Sequence, residues 1–331
     1  MTTGAAHPTR SAVSGSEFLA PLVDALESRL DTELQKRPFQ REAAFVDQIF
    51  PALRTLARYF DVEYRGWQHV PRRGPCLVVG NHSGGAESVD FWFLLYKWVQ
   101  ERGAAAPLYG LAYNLLFGAP LLGSTMRGLG IIPASHSNAR RALALGATVC
   151  VFPGGDFEVF RPWRERNRID FGHRTGFIKL AIETRVPVVP MTIHGAHQST
   201  LVLTRGRGIA HATGLDRLRV KGFPFVWSIP FGPVPAFVPS LPLPSKVTVH
   251  FGAPLDWSRY RHAQAGDPAV LGSCYDQITA RMQKSLDRLA REHPHPLFER
   301  LRQLGSARRA TPRTALSGTA RSHDHRPVLD A

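Results

Sequence analysis

Cysteine and acidic residues are scarce in this sequence. The 331 residues include three cysteines, Cys76, Cys150 and Cys274, which are far apart and form no Cys-x-x-Cys pair. Such a set argues against a disulfide framework and favours a reducing compartment. Lys and Arg total 41 against 26 Asp and Glu, which gives a formal net charge of +15. This excess predicts an anionic partner, such as a nucleic acid, an anionic membrane surface or a phosphorylated substrate.

The sequence also lacks an apolar run suited to crossing a bilayer. The nearest candidate is the uncharged segment 222–244, which contains seven prolines. Prolines at this density break a helix, so we do not expect the segment to span a membrane. Two interpretations stay open. The segment is either a loop packed on the core or an apolar surface that dips into lipid or lines an acyl groove.

The hydrophobic pattern divides the chain into parts of different character. Residues 1–15 are small and polar, and we expect them to be disordered. Residues 16–60 contain two amphipathic helical patterns, which predict an N-terminal helical hairpin. Residues 61–300 form the main domain. Residues 305–331 are rich in Ser, Thr, Ala, Arg and Pro and are expected to be a disordered basic tail.

Short apolar runs alternate with helical patterns through the main domain. Strands are predicted at 76–80, 129–133, 147–155, 187–196 and 246–252, and helices at 90–101, 137–146, 173–185 and 268–292. Alternation of this kind is typical of an α/β fold. The sequence therefore predicts a mostly buried mixed sheet flanked by helices.

Polar residues follow the predicted strand 76–80, where α/β folds collect functional groups. His82 is a natural general base, since histidine titrates near neutral pH. Gly84 and Gly85 allow the chain to turn back sharply, so that a carboxylate further along can orient the imidazole. Glu87 and Asp90 are both candidates for that carboxylate.

A second polar segment follows the predicted strand 147–155. It contains Gly154, Gly155 and Glu158 and continues into an arginine-rich stretch. The arginines of that stretch are Arg161, Arg164, Arg166, Arg168 and Arg174. Two interpretations stay open for them: a solvated basic loop, or a site that captures phosphate groups or anionic lipid headgroups.

Four segments resemble the conserved blocks of the glycerolipid acyltransferase superfamily, the PlsC-like lysophospholipid acyltransferases. Residues 81–90, Asn-His-Ser-Gly-Gly-Ala-Glu-Ser-Val-Asp, resemble its His-to-Asp block, and residues 151–160 resemble its Phe-Pro-x-Gly block. Residues 128–135 stand where its second block is expected, and residues 174–196 are similar to its third and fourth blocks. The Gly-Gly-x-x-Glu sequence at 154–158, within the Phe-Pro-x-Gly block, also resembles the type 2 diacylglycerol acyltransferase branch.

Three departures from the superfamily pattern affect the expected acid and substrate. The usual spacing of His, four residues and Asp places Glu87 at the acid position, whereas Asp90 begins the predicted helix, as the family's Asp does. We therefore predict that Asp90 partners His82, with Glu87 as the alternative acid. Pro133 stands where an Arg is usual, and Gly154 replaces the usual Glu of Phe-Pro-Glu-Gly. Both changes favour a neutral or unusual lipid acceptor over a phosphorylated one.

The resemblance implies direct transfer of a fatty acyl group from a coenzyme A or carrier-protein thioester to a lipid hydroxyl. His82 takes the proton of the acceptor hydroxyl while Asp90 holds the imidazole. No metal, cofactor or covalent intermediate is required. The expected partners are the acyl-CoA or acyl carrier protein donor, a lipid acceptor and an anionic membrane surface. The expected location is peripheral, on the cytoplasmic, inner face of the cell membrane.

Substrate-binding roles follow from the same resemblance. Backbone N–H groups near Gly84 and Gly85, or around Gly154 and Gly155, are candidates for stabilising the oxyanion. Glu158 is a candidate contact for the acceptor, with a capping or surface acid as the alternative. Three arginines are candidates for binding the phosphates of coenzyme A or anionic lipid headgroups, namely Arg161, Arg164 and Arg174.

Rival functions fit only parts of the sequence. His-Ser-Gly-Gly resembles the oxyanion loop of lipases and esterases, but the chain has no Gly-x-Ser-x-Gly nucleophile elbow. His194 and His197 form a His-x-x-His pair without an evident third zinc ligand. No nucleic-acid-binding motif of recognised spacing occurs, so nucleic acid is not an expected partner. A catalytically degenerate acyltransferase-like protein that binds anionic membrane or lipid remains the alternative.

Overall fold

A computed structural model of the chain describes residues 39, 41–83, 89–117, 120–206, 224–228, 231–236, 238 and 241–310. The helices are α1 (Ala43–Tyr59), α2 (Asp90–Arg102), α3 (Pro120–Gly128), α4 (His136–Ala144), α5 (Gly155–Val159), α6 (Gly176–Thr184), α7 (Pro268–Glu292) and α8 (Pro296–Ala310). The strands are β1 (Val62–Arg65), β2 (Cys76–Gly80), β3 (Leu108–Ala112), β4 (Ile131–Pro133), β5 (Thr148–Val151), β6 (Val188–His194), β7 (Leu201–Thr204), β8 (Phe225–Ser228), β9 (Gly232–Pro235) and β10 (Val247–Phe251).

The main sheet has seven strands in the order β1-β10-β6-β2-β5-β3-β4. β10 runs antiparallel to β6, while all the other neighbouring pairs are parallel. The mixed α/β sheet expected from the sequence is thus confirmed. Because β2 and β5 are parallel neighbours, the residues that follow them meet at one edge of the sheet. We call this the carboxyl edge.

The central strand β2 is covered on both faces. All five of its residues are buried. Cys76 and Val78 belong to the core cluster that includes residues of α1 and α2, whereas Leu77 and Val79 belong to the cluster that includes α4, α6 and α7. Strand side chains alternate between faces, so a continuous apolar run is what a strand between two helical layers requires.

A second, antiparallel sheet is formed by β7, β8 and β9. β8 and β9 lie in the proline-rich segment 222–244, so this part of the segment forms strands where a loop was one expectation. The prolines of β9 are tolerated because β9 is an edge strand, where a missing N–H breaks no ladder. Val202, Val226 and Ala236 form the small core of this sheet and pack with Phe160, close to the end of α5.

The predicted hairpin is described only in its second arm. α1 covers Ala43–Tyr59 and buries Val46, Leu53 and Ala57. The expected first arm and the expected disordered residues 1–15 lie outside the described residues. Within the described ranges, no helix combines the length and the apolarity needed to cross a bilayer.

The expectation of a disordered tail from residue 305 is wrong for residues 305–310. These residues complete α8, which runs from Pro296 to Ala310. The reason is helix propensity, since residues 307–310 are Ala-Arg-Arg-Ala, and both residue types favour a helix. Residues 311–331 lie outside the described residues.

Candidate active site

His82 lies two residues beyond β2, at the carboxyl edge. Asn81 extends the pairing of β2 with β6 through its side-chain amide, which makes the hydrogen bonds that a backbone peptide group makes in a strand. The Nδ2 of Asn81 donates to the Ile193 carbonyl at 2.9 Å, and Oδ1 accepts the Ile193 N–H at 2.7 Å. This pair of hydrogen bonds fixes the chain just before His82.

The imidazole of His82 is hydrogen-bonded to Asp90, the first residue of α2. The Nδ1 of His82 lies 2.8 Å from Oδ2 of Asp90, and the Asp90 side chain is fully buried. A carboxylate oxygen accepts this hydrogen bond and Nδ1 donates it, so in the neutral imidazole Nε2 carries the lone pair. This is the tautomer that a general base acting through Nε2 requires.

Ser83 holds the same carboxylate from a second direction. The backbone N–H of Ser83 donates to Oδ2 of Asp90 at 2.6 Å, and its hydroxyl donates to Oδ1 at 2.6 Å. The position of Asp90 at a helix N-terminus also favours a negative charge. The structure thus brings Asp90 to His82. Glu87, Gly84 and Gly85 lie outside the described residues.

Phe152, the first residue after β5, packs against the imidazole. The rings of His82 and Phe152 are stacked, with centroids 4.5 Å apart and an interplanar angle of 15°. A Cβ at Gly80 would lie 2.6 Å from Cε1 of Phe152, so the glycine that ends β2 makes room for this ring. The His82 side chain is 18% exposed, so the stacked ring of Phe152 and the Asp90 carboxylate do not bury it completely.

Glu158 and Arg161 lie behind His82 and not on the surface. Glu158 is 0% exposed and Arg161 is 1% exposed. Nη1 of Arg161 donates to Oε1 of Glu158 at 2.8 Å, and the backbone N–H of His82 donates to Oε2 at 2.9 Å. Burial raises the pKa of Glu158, and the positive charge of Arg161 opposes that rise. This placement differs from the substrate contacts predicted for both residues, because neither side chain reaches solvent.

Arg174 ties down the turn between β5 and α5. Its Nη1 donates to the carbonyls of Pro153 and Gly154 at 3.1 and 3.0 Å, and its Nη2 donates to Oδ1 of Asp156 at 2.8 Å. The guanidinium is therefore already engaged by protein groups, although it remains half-exposed. Arg174 therefore has a structural role in this turn, and the phosphate contact predicted from the sequence stays a prediction.

The turn between β5 and α5 also bears on which backbone N–H groups are candidates for stabilising the oxyanion. The N–H of Gly155 donates to the Phe152 carbonyl at 3.0 Å. This N–H has its acceptor within the turn, which gives no support to an oxyanion role for the N–H of Gly155 itself. Gly155 instead has a φ of 48°, which glycine adopts at little cost.

The other predicted residues occupy ordinary structural positions or the surface. Arg164 is exposed in a short 3-10 helix, Trp163–Glu165. Nε2 of His194 lies 2.9 Å from the His293 carbonyl, and Nε2 of His197 lies 2.7 Å from the Arg161 carbonyl. Among the residues that the structure describes, no three His, Cys, Asp or Glu side chains are grouped so that they could hold a metal ion.

Sequence reasoning assigned no role to three residues of this site: Asn81, Ser83 and Phe152. Asn81 and Ser83 flank His82 directly, and their polar side chains beside a buried strand were the available signal. Phe152 shows no such signal, because an aromatic residue at a strand end is most often a core residue.

A family model described as Acyltransferase matches residues 61–194, which include His82, Asp90, Glu158 and Arg161. An uncharacterized protein of Mycobacterium tuberculosis is 31% identical over 276 residues, which cover 83% of this chain and 75% of that protein.

Two further similarities concern named enzymes. The crystal structure of the 1-acyl-sn-glycerophosphate (LPA) acyltransferase PlsC from Thermotoga maritima is 18% identical, with a TM-score of 0.44 over 82% of this chain and 87% of that chain. The Homo sapiens protein called DGAT1/2-independent enzyme synthesizing storage lipids is 27% identical over 129 residues, 39% of this chain and 38% of that protein. On the evidence of the family model and of the mycobacterial relative, which matches most of both chains, this chain belongs to the acyltransferase superfamily.

Proposed function

We propose that this enzyme transfers a fatty acyl group from an acyl-CoA or acyl carrier protein thioester to a hydroxyl of a neutral glycerolipid, with His82 as general base. Membership of the superfamily makes the chain an acyltransferase of lipid metabolism. The donor, the acceptor and the residue roles are the proposal. The observation that carries it is the hydrogen bond of 2.8 Å between Nδ1 of His82 and the buried Asp90 carboxylate.

The first step is attack of the acceptor hydroxyl on the thioester carbonyl carbon. Nε2 of His82 takes the hydroxyl proton as the new C–O bond forms, and the carbonyl oxygen takes the negative charge. Asp90 stabilises the imidazolium that results. The remaining candidates for donors to the oxyanion are the N–H groups of Gly84, Gly85 and Gly154.

The second step is collapse of the tetrahedral intermediate. The C–S bond breaks, the carbonyl re-forms and the thiolate leaves. The imidazolium then gives its proton to the thiolate, which restores neutral His82. Atoms and charges balance, and the enzyme returns to its starting state without an acyl-enzyme.

The donor's phosphates are expected to meet the arginines beyond the catalytic turn. Arg164 and Arg168 are exposed and follow α5, which begins at the carboxyl edge just after the end of β5. Guanidinium groups bind phosphate oxygens strongly, in single or paired hydrogen bonds. An acidic carrier protein would be attracted by the same charges.

A neutral acceptor is favoured by the residues that the chain lacks at the expected phosphate site. The segment 128–135 ends β4 on the buried Pro133 and supplies no arginine there. A phosphorylated acceptor would need a cation at this place to offset its desolvation. Monoacyl- and diacylglycerols need none.

Exposed apolar side chains flank the carboxyl edge and support attachment to a membrane surface. Trp227 and Phe231 are exposed on or beside the small sheet that packs with Phe160. Tyr113 and Leu121 are exposed in the segment that follows β3, a strand parallel to β5. Apolar groups on this edge would bury in lipid, and the net charge of +15 would attract anionic headgroups.

A matched pair of variants tests the membrane proposal. Leu121 is 83% exposed beside the carboxyl edge, whereas Leu145 is 65% exposed at the end of α4, just before β5 begins at the opposite edge. Leu121→Glu should weaken sedimentation with phosphatidylglycerol–phosphatidylcholine vesicles by roughly tenfold, the effect of one apolar side chain leaving lipid. Leu145→Glu should leave it unchanged. Equal behaviour of the two variants would contradict the proposed orientation.

The activity itself is tested with purified protein and labelled long-chain acyl-CoA. The acceptor panel contains lysophospholipids, glycolipids, monoacylglycerol and diacylglycerol in vesicles. We expect transfer to the neutral acceptors and none in His82→Ala. Transfer that survives in His82→Ala would overturn the mechanism. If no acceptor is acylated while vesicle binding persists, the lipid-binding alternative is favoured.

A further inference from the structure

Two buried charges connect α5 to the residue that we propose as the base. Arg161 donates to Oε1 of Glu158 at 2.8 Å, while Oε2 of Glu158 accepts the backbone N–H of His82 at 2.9 Å. Glu158 and His82 are 76 positions apart in the chain. One carboxylate therefore joins an ion pair on the β5 side to the end of β2.

Gly154 provides the space in which this carboxylate lies. A Cβ at position 154 would be 2.5 Å from Cβ of Glu158 and 2.5 Å from Oε2. Contacts this short force a displacement. The φ of Gly154 is −65°, which any residue adopts, so the need for glycine comes from the Glu158 side chain and not from the backbone.

Arg161 is held from a third strand. Its carbonyl oxygen lies 2.7 Å from Nε2 of His197, which follows β6. Burial lowers the pKa of His197 to about 3, so the ring is neutral and Nε2 carries its one hydrogen. The ion pair is thus fastened to the ends of β2 and β6, the two strands whose pairing positions His82.

We infer that Glu158 is a positioning residue that holds the main chain of His82, with Arg161 holding Glu158 in turn. The inference rests on the proposed function, in which His82 is the base. Asp90 fixes the imidazole ring and Glu158 fixes the backbone that carries it. Loss of the backbone anchor lets the ring move, and a displacement of about 1 Å at a reacting group costs about 100-fold in rate.

Two double variants separate positioning from ordinary structural support. Glu158→Gln/Arg161→Gln removes both charges but keeps an amide oxygen that accepts the His82 N–H. Glu158→Leu/Arg161→Met also removes both charges and keeps the apolar volume, but leaves no acceptor. Changing both partners avoids an uncompensated buried charge, which would unfold the protein for unrelated reasons.

We expect kcat of the Leu/Met variant to fall about 10- to 100-fold, with the KM values of donor and acceptor within about twofold of the unmodified enzyme. The Gln/Gln variant should retain kcat within about fivefold. Thermal midpoints measured in parallel show whether the two variants are equally stable. Equal loss of kcat in both variants, or a rise in KM instead, would overturn the inference, since a rise in KM is the mark of a substrate contact.

A spectroscopic readout keeps the inference testable if no acyl transfer is detected, a result that would count against the proposed function alone. In ¹⁵N-histidine-labelled protein, the Nδ1–H of His82 bonded to Asp90 gives a downfield proton resonance, assigned by its loss in His82→Gln. This resonance should remain in the Gln/Gln variant and broaden or vanish in the Leu/Met variant. An unchanged resonance in the Leu/Met variant would show that the backbone anchor does not position the ring.

Discussion

Replacing Asp90 with Asn removes the charge beside His82 and little else. Asp90 is fully buried and accepts hydrogen bonds of 2.6 to 2.8 Å from Nδ1 of His82 and from the N–H and hydroxyl of Ser83. Asn has nearly the same shape. Its oxygen can accept from His82 and from the Ser83 N–H, while its NH2 group faces the Ser83 hydroxyl, which can rotate to accept.

The size of the effect follows from the charge that develops on His82. Two unit charges about 4 Å apart interact by about 4 kcal/mol at an effective dielectric constant of about 20. That energy corresponds to about 10³-fold in rate if the imidazolium is fully formed in the transition state. Because proton transfer is incomplete there, we expect kcat of Asp90→Asn to fall by about 10²- to 10³-fold.

The assay is transfer of labelled acyl groups from acyl-CoA to diacylglycerol or monoacylglycerol in vesicles, with thermal unfolding measured in parallel. Ser83→Ala is the matched control, because it removes only the hydroxyl bond to Asp90 and should cost less than about tenfold. If Asp90→Asn stays within tenfold of the unmodified enzyme, the reasoning is refuted. If Glu87→Gln is then inactive, the orienting role belongs to Glu87.

Two further predictions concern pH and the donor. Burial lowers the pKa of His197 from 6.5 to about 3. Below about pH 6.5 this histidine therefore takes up a proton in the unfolded chain but not in the folded one. The free energy of unfolding should fall as the pH drops below about 6.5. In His197→Gln the amide can still donate to the Arg161 carbonyl, but the titrating group is gone. The slope of the unfolding free energy against pH, measured by urea unfolding between pH 6.5 and 5, should therefore decrease by up to about 1.4 kcal/mol per pH unit. An unchanged slope would contradict this prediction. Arg164→Gln should raise KM for acyl-CoA several-fold with kcat unchanged, whereas Arg73→Gln, exposed before β2 at the opposite edge, should not. Equal KM values in both would exclude Arg164 from donor binding.

Much of the fold was readable from local patterns. The apolar runs located five of the seven strands of the main sheet to within a few residues, and the long helix α7 has the bounds that its periodicity predicts. Two of the missed elements, β3 and α3, have weak patterns. β3 reads Leu-Tyr-Gly-Leu-Ala and α3 contains a proline and two glycines, so neither shows a clear period of two or of 3.6 residues.

The candidate site divides in the same way. That His82 follows a buried strand, and that Asp90 heads a helix, are properties of neighbouring residues, so the sequence by itself determined that a His and a helix-head acid lie at this edge. Which contacts they make was decided by the order of strands. β2 lies between β6 and β5, and this brings Ile193 and Glu158 to the two sides of residues 81–82.

Glu158 and Arg161 show the limit of sequence reasoning most clearly. In the sequence, Glu158 and Arg161 are an acidic and a basic residue in a polar, arginine-rich stretch, which suggests a surface that contacts substrate. In the structure they are a buried pair behind the base, because α5 turns inward against the end of β2 and Gly154 leaves room for the carboxylate. Local patterns determine helices, strands and their ends. Burial of a charge depends on partners that only the packed sheet brings together.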